Sequence, residues 1–240
     1  MRRIDRPLIF NSRRAAAGAA GAADPYFSSV TLLLHGDGTN GQTTTVDSSS
    51  YARTITTSNG ATLSTTQAKY GTASMAFTGS GNQAFTAALS GDFNFGTGDF
   101  TVELWVNNTS LSTAPYYIAN HDGSFGWYLS NSSGGAANWG WMANGGTSGS
   151  AGLGNVGTAA WTHLAVSRVS GVLYKSVGGV VTSVAHTVNY GTVTTNPLAV
   201  GRDSTSGNNV NGWIDDVRIT KGIGRYTANF TPPTSAFPDK

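Results

Sequence analysis

The chain has 240 residues and a net charge of +2, with 39% apolar and only 11% charged residues, against roughly 25% charged in an average domain. It contains no cysteine, which excludes a disulfide framework, a thiolate metal site and a thiol nucleophile. No stretch approaches the run of about 20 apolar residues that a membrane-spanning helix needs, and the body lacks the basic stripe of a nucleic-acid reader. Glycine, with 32 copies, and runs of Ser, Thr and Asn take the place of charges. Such a surface suits a protein that works outside the cytosol or on a particle.

Residues 1–29 read as a flexible basic arm. Arg2, Arg3, Arg6, Arg13 and Arg14 outnumber Asp5 and Asp24, and an Ala/Gly tract from Ala15 to Ala23 cannot bury a core. The Arg2-Arg3 pair shares one feature with a twin-arginine export signal, but the tract behind it is a poor apolar region. An extended docking arm is the better reading, with the arginines held on an acidic neighbouring subunit.

Residues 30–240 are expected to form one all-β domain. Val30 to His35 suits a strand buried on both sides, and Gly36 to Gly41 is a turn cluster. Further strands are predicted at 52–56, 74–77, 83–86, 100–107, 116–120, 126–130, 139–143, 161–168, 173–177, 180–185, 198–201 and 213–220, at roughly the 8–12-residue spacing of a sandwich. Val177-Gly-Gly-Val180 is a two-residue hairpin. The Pro-punctuated tail from Tyr226 to Pro238 is expected to run extended across the outside, anchored by Phe230 and Phe237.

The strand from Phe100 to Asn107 is the clearest. Phe100, Val102, Leu104 and Val106 form one apolar row, and Thr101, Glu103, Trp105 and Asn107 the other. The apolar row belongs against a second sheet, and the other row is expected to be wet. A wet face of this composition suits a polar, ring-shaped ligand such as a sugar, or a plain solvated exterior.

Among the aromatics, Trp139 and Trp141 are expected to share a face near the surface, forming a glycan platform with Asn144, while Trp127 and Trp161 fill the core. His35, His121, His163 and His186 fall in unrelated strands and turns, with no nucleophile elbow. His163 is expected to be a hydrogen-bonding surface residue.

Four segments carry a resemblance: Leu32 to Gly41, Phe93 to Val106, Trp161 to Arg168, and Gly212 to Pro233, the last ending in Arg-Tyr-Thr-Ala-Asn-Phe-Thr-Pro-Pro. In this order they resemble the LamG-like jelly-roll domains of the concanavalin A-like lectin/glucanase superfamily. The resemblance implies a two-sheet antiparallel β-sandwich. The Arg-Tyr-Thr-Ala-Asn-Phe-Thr-Pro-Pro form is similar to one in structural proteins of tailed bacteriophages and in microbial surface proteins. It implies a non-enzymatic virion protein on the particle surface, a capsid decoration or a tail or head appendage. Such a protein would be joined to other virion proteins through its arm, would be a homo-oligomer, and would adhere to host-surface glycans. The alternative is an extracellular microbial carbohydrate-binding module.

A third reading, glycan hydrolase, is expected to fail. Hydrolases of the superfamily cluster carboxylates on one strand, and the reaction needs an acid and a base flanking one bond. Glu103 is the only glutamate, and Thr101 and Trp105 occupy the positions where further carboxylates would stand. LamG-like relatives often bind calcium. Asp37, Asn40, Asp215 and Asp216 match those regions and would supply oxygen ligands to one structural ion, unless Asp37 shapes a turn and Asp215 or Asp216 pairs with Arg218 or Lys221.

Overall fold

Phe100, Val102, Leu104 and Val106 are all fully enclosed, as their alternation requires, and the fold is two sheets closed over that row. A computed structural model describes residues 23–112, 114–131, 139–143, 147–148, 156–205 and 207–240. Its strands are β1 (Val30–Leu34), β2 (Ile55–Ser58), β3 (Thr62–Ser64), β4 (Ser74–Thr78), β5 (Ala84–Ala87), β6 (Phe100–Ser110), β7 (Tyr116–His121) and β8 (Gly126–Asn131). They continue with β9 (Trp139–Ala143), β10 (Thr147–Ser148), β11 (Thr162–Val169), β12 (Val172–Val177), β13 (Val180–Ala185), β14 (Leu198–Val200) and β15 (Asn211–Lys221). The short β3 and β10 escape the sequence pattern.

The first sheet runs β13-β12-β11-β6-β15-β4-β3, with β1 also paired to β15, and the second runs β10-β9-β8-β7-β14-β5-β2. Every pairing is antiparallel. Between the sheets Phe95, Phe100, Trp127 and Trp141 stack in near-parallel planes, with centroids 4.3 Å apart for Phe95–Phe100, 4.9 Å for Trp127–Trp141 and 5.0 Å for Phe100–Trp141. Arg168 also lies inside. Its guanidinium donates to the carbonyls of Gly98 and Val188 at 2.8 Å and sits 4.6 Å above the Tyr190 ring, so backbone dipoles rather than a carboxylate satisfy it.

β15 changes partner halfway along. Asn211 to Ile214 pair with β4, and Val217 to Thr220 pair with β1 on the same edge. At the junction the pairing with β6 shifts register between Asp215 and Arg218, and Asp216 takes a positive φ of 50°. The bulge turns two buried carboxylates into the gap between the ends of β1 and β4.

The Gly178-Gly179 hairpin has both φ angles positive, at 58° and 85°, as a primed turn requires. Gly179 has a second duty, since a Cβ there would come within 2.0 Å of the Phe230 carbonyl oxygen. The tail passes at that point, with Phe230 N–H donating to Gly179 O at 3.0 Å. It then continues across the outer face of the first sheet to Tyr70, whose hydroxyl donates to Pro233 O. Phe237 ends the crossing, 3% exposed, in a small apolar cluster with Val30 and Leu33.

Two expectations are corrected here. The outer row of β6 is not wet: Thr101 and Glu103 are 0% exposed and Trp105 and Asn107 5%, with tail and N-terminal segment lying over Glu103 and with Lys69 and Tyr70 on Trp105. Nor does the arm reach residue 29. Asp24 is buried and its N–H donates to Lys240 O at 2.8 Å, so residues 24–29 belong to the folded body. The arginines at positions 2, 3, 6, 13 and 14 lie outside the described residues.

Phe237→Ala should cost about 3–5 kcal/mol, the usual penalty for emptying a buried phenylalanine site. Urea unfolding at neutral pH should show a lower midpoint, and an unchanged midpoint would mean that the tail adds nothing to the fold.

Candidate functional site

The outer face of the first sheet is laid out in rows by its register. Going up the sheet, β11, β6 and β15 place Ser167–Thr101–Thr220, then Ala165–Glu103–Arg218, then His163–Trp105–Asp215. One step further, Trp213 pairs with Asn107. Trp161, next to the Thr162–Val106 pair, shares the outward side with His163 by alternation. The tail covers the lower rows. The uppermost row is the open one.

Under the cover lies a closed ionic network. Arg218 donates to Glu103 Oε1 through Nε at 2.9 Å and Nη2 at 2.8 Å, and the Tyr226 hydroxyl donates to Oε2 at 2.7 Å. His163 Nε2 lies 3.2 Å from the same oxygen. Asp24 accepts from Arg218 at 3.1 Å and from Arg225 at 3.0 and 2.7 Å, and Phe237 lies 4.0 Å beneath the Arg218 guanidinium. Burial alone would raise the Glu103 pKa, but Arg218, His163 and Arg225 outweigh it and hold the carboxyl at about 2. This glutamate is an enclosed anion with no path to a substrate. His163, expected at the surface, is 0% exposed among Trp105, Tyr226, Phe230 and Phe237.

The open row has a different character. Trp161, just before β11, and Trp213, on β15, are both partly exposed on either side of β6, roughly 10 Å apart, with Asn107 between them. Beyond Trp213 the row continues through the small side chains of Ala76 and Thr62. Neither Trp161 nor Trp213 joins a ring stack among the described residues, whereas Trp127 and Trp141 do. Two buried polar atoms adjoin the row without a hydrogen-bond partner in the protein, Trp105 Nε1 and Asn107 Oδ1. One is a donor and the other an acceptor. The lower border is Trp105, met edge-on by Tyr70 at 5.9 Å and covered by the Lys69 ammonium at 4.0 Å.

The platform expected on β9 does not form as read. Trp141 is 0% exposed in the central stack and its indole N–H donates to the Tyr190 hydroxyl at 2.9 Å, because inward positions of β9 face β6. The Trp139 side chain and Asn144 lie outside the described residues. The exchange is direct: Trp161, expected in the core, faces outward, and Trp141 takes the inside.

Nor do the expected calcium ligands converge. Asp37 accepts from the hydroxyl of Thr72 at 3.1 Å, and Asn40 Oδ1 accepts from Thr65 N–H at 3.3 Å. Asp215 accepts from the N–H groups of Lys69 at 2.7 Å, Tyr70 at 3.2 Å and Asp216 at 2.9 Å. Asp216 holds His35 Nδ1 at 2.7 Å and the Phe237 N–H at 2.8 Å. Their oxygens are spent on pinning loops, and among the described residues no three carboxylate or imidazole groups gather as a cation cage.

Fold and face define an antiparallel jelly-roll sandwich of lectin type with one open aromatic row. The family described as the concanavalin A-like lectin/glucanases superfamily matches residues 78–222, more than half of the chain, and the chain belongs to it. Comparison with curated proteins returns no match. Among solved structures, the chain is similar to domain 4 of AbnA, an extracellular GH43 arabinanase from Geobacillus stearothermophilus, in complex with arabinotriose. That likeness has a TM-score of 0.59 at 20% identity and covers 82% of this chain and 94% of that one. It is also similar to the binding domain of botulinum neurotoxin DC in complex with rat synaptotagmin II (TM-score 0.62, 14% identity, 82% of this chain and 49% of that one). A third is botulinum neurotoxin type C, whose cell entry depends on interaction with two ganglioside molecules (TM-score 0.61, 15% identity, 82% and 49%). The chain thus spans about half the length of the toxin chains and nearly all of the arabinanase domain.

Glu103→Gln should lose about 3–5 kcal/mol at neutral pH, because removing one partner leaves Arg218 buried beside a neutral amide. The sign of its pH dependence follows from a folded pKa below the unfolded one. Glu103 stabilises the fold above about 4.5, and that contribution is lost as pH falls toward about 2. Urea midpoints measured across this window should fall less steeply for the variant. Parallel curves would show that the glutamate is not ionised in the fold.

Proposed function

We propose that the protein is a non-catalytic carbohydrate-binding module that takes a saccharide on the Trp161–Asn107–Trp213 row. The observation that carries this reading is a pair of outward, unstacked indoles flanking an amide whose oxygen is buried and unpartnered. Indole faces stack on the C–H faces of sugar rings, and their amphipathic character suits a ligand with one apolar and one wet side. A sugar hydroxyl accepts one hydrogen bond while donating another, which matches the chemistry of a lone donor, Trp105 Nε1, and a lone acceptor, Asn107 Oδ1. Left unmade, those bonds cost about 1–3 kcal/mol each. Family membership and the likeness to an arabinotriose-bound domain support the same class of ligand. Hydrolysis is set aside because the sole glutamate is enclosed.

The placement of the module on a tailed-phage particle rests on the Arg225 to Pro233 resemblance, with residues 1–22 as its tether to other virion proteins; the alternative placement is extracellular. In the structure those motif residues staple the tail: Arg225 bonds Asp24, Tyr226 bonds Glu103, and Phe230 stacks on Tyr226 at 3.9 Å. Deleting residues 1–22 should leave the fold intact and abolish incorporation into particles, and normal incorporation would remove the virion tether.

Trp161→Ala and Trp213→Ala should each weaken glycan-array and calorimetric binding at least tenfold with urea midpoints nearly unchanged. Wild-type protein that binds no glycan, or variants that bind as it does, would overturn the assignment of this face.

A further inference from the structure

We infer that this face, taken as the carbohydrate site proposed above, selects saccharides that carry a carboxylate, and that Lys69 reads the charge. Lys69 stands on the border between the covered and open parts of the face. Its ammonium lies 4.0 Å from the Trp105 ring centroid and 5.2 Å from that of Tyr70. Its backbone is fixed as well, since the N–H groups of Lys69 and Tyr70 both donate to Asp215 Oδ2, and Tyr70 is tied to the tail at Pro233. The loop is therefore built to hold a cation against Trp105, one residue pair below Asn107 and Trp213. Two strand positions span about 7 Å, a distance that one saccharide unit bridges.

The other cations around this face are already engaged. Arg218 serves Glu103 and Asp24, and Arg225 serves Asp24. Among the described residues no carboxylate lies within ion-pair distance of Lys69. Aromatic rings attract an ammonium without consuming its N–H donors, so Lys69 keeps all of them for an incoming anion. The acid that fixes its backbone, Asp215, aims its oxygens at backbone N–H groups, and burial pushes its pKa up to about 7 against those donors. That lessens the repulsion an anion would meet. In a chain with so few charges, one fixed ammonium sets the local sign of the field. A lysine reads a single carboxylate as a point charge and does not demand the two-point geometry of arginine, which fits a uronic or sialic acid whose ring is held by Trp213.

Calorimetry with matched ligand pairs tests this: oligogalacturonate, glucuronate-containing and sialylated oligosaccharides, each beside its methyl ester, with neutral glucan and arabinan oligomers as the control set. The ester keeps ring and linkage and removes the charge. At least one acid should bind about tenfold more tightly than its ester at low salt, with the preference shrinking as salt is added. Lys69→Met should bring the acid down to the ester's affinity and leave the ester unchanged, with the far-ultraviolet spectrum confirming the fold. Equal binding of acid and ester, or an acid preference untouched in Lys69→Met, overturns the charge selection and leaves the carbohydrate reading standing. Binding confined to neutral oligomers and lost in Trp213→Ala does the same. Absence of binding across the whole set overturns both.

Discussion

A carboxylate without water must be neutralised where it stands, and Glu103 imposes that demand on the middle of β6. Its cross-strand neighbour Arg218 supplies the charge, but a buried ion pair repays its desolvation only if the remaining hydrogen-bonding capacity is met as well. Tyr226, Asp24 and Arg225 meet it, and each comes from a chain end rather than from the sheet. The tail and the residues before β1 are thus held down by chemistry at the centre of the face, while Phe230 and Phe237 keep water out. The wet exterior expected of a sandwich becomes a second interior.

This cover divides one sheet face into two surfaces. Below the strap from Gly179 to Tyr70 the sheet is sealed, and above it Trp161 and Trp213 stay partly exposed on either side of the buried Asn107. Glu103, under the cover, is engaged by the chain's own guanidinium and phenol groups. The same β6 strand contributes Asn107 to the open row.

The inner row of β6, the tight hairpin at Gly178-Gly179 and the tail anchors could be read from the sequence, since each depends on local alternation or on residue type. The character of the outer row could not. Period-two patterning assigns a residue to a face but says nothing of what arrives there from 123 positions away, as Tyr226 does on Glu103. The tryptophans show the same limit. Trp161 alternates with His163 and so faces outward, yet ring size alone argues for a core; Trp141 sits among glycines and asparagines, yet β9 turns it onto Phe100. Asp215-Asp216 looks like a ligand pair because the sequence does not reveal that β15 exchanges β4 for β1 at that point, leaving a gap for the two carboxylates to fill.

The backbone bond between Asp24 N–H and Lys240 O brings the two ends of the folded body to one corner. Whatever is fused to either end hangs from the same hinge point, and the domain can be spliced into the loop of a host protein without stretching that loop. A pull applied across the two ends would load that bond and the Asp24 bridges to Arg225 and Arg218 first.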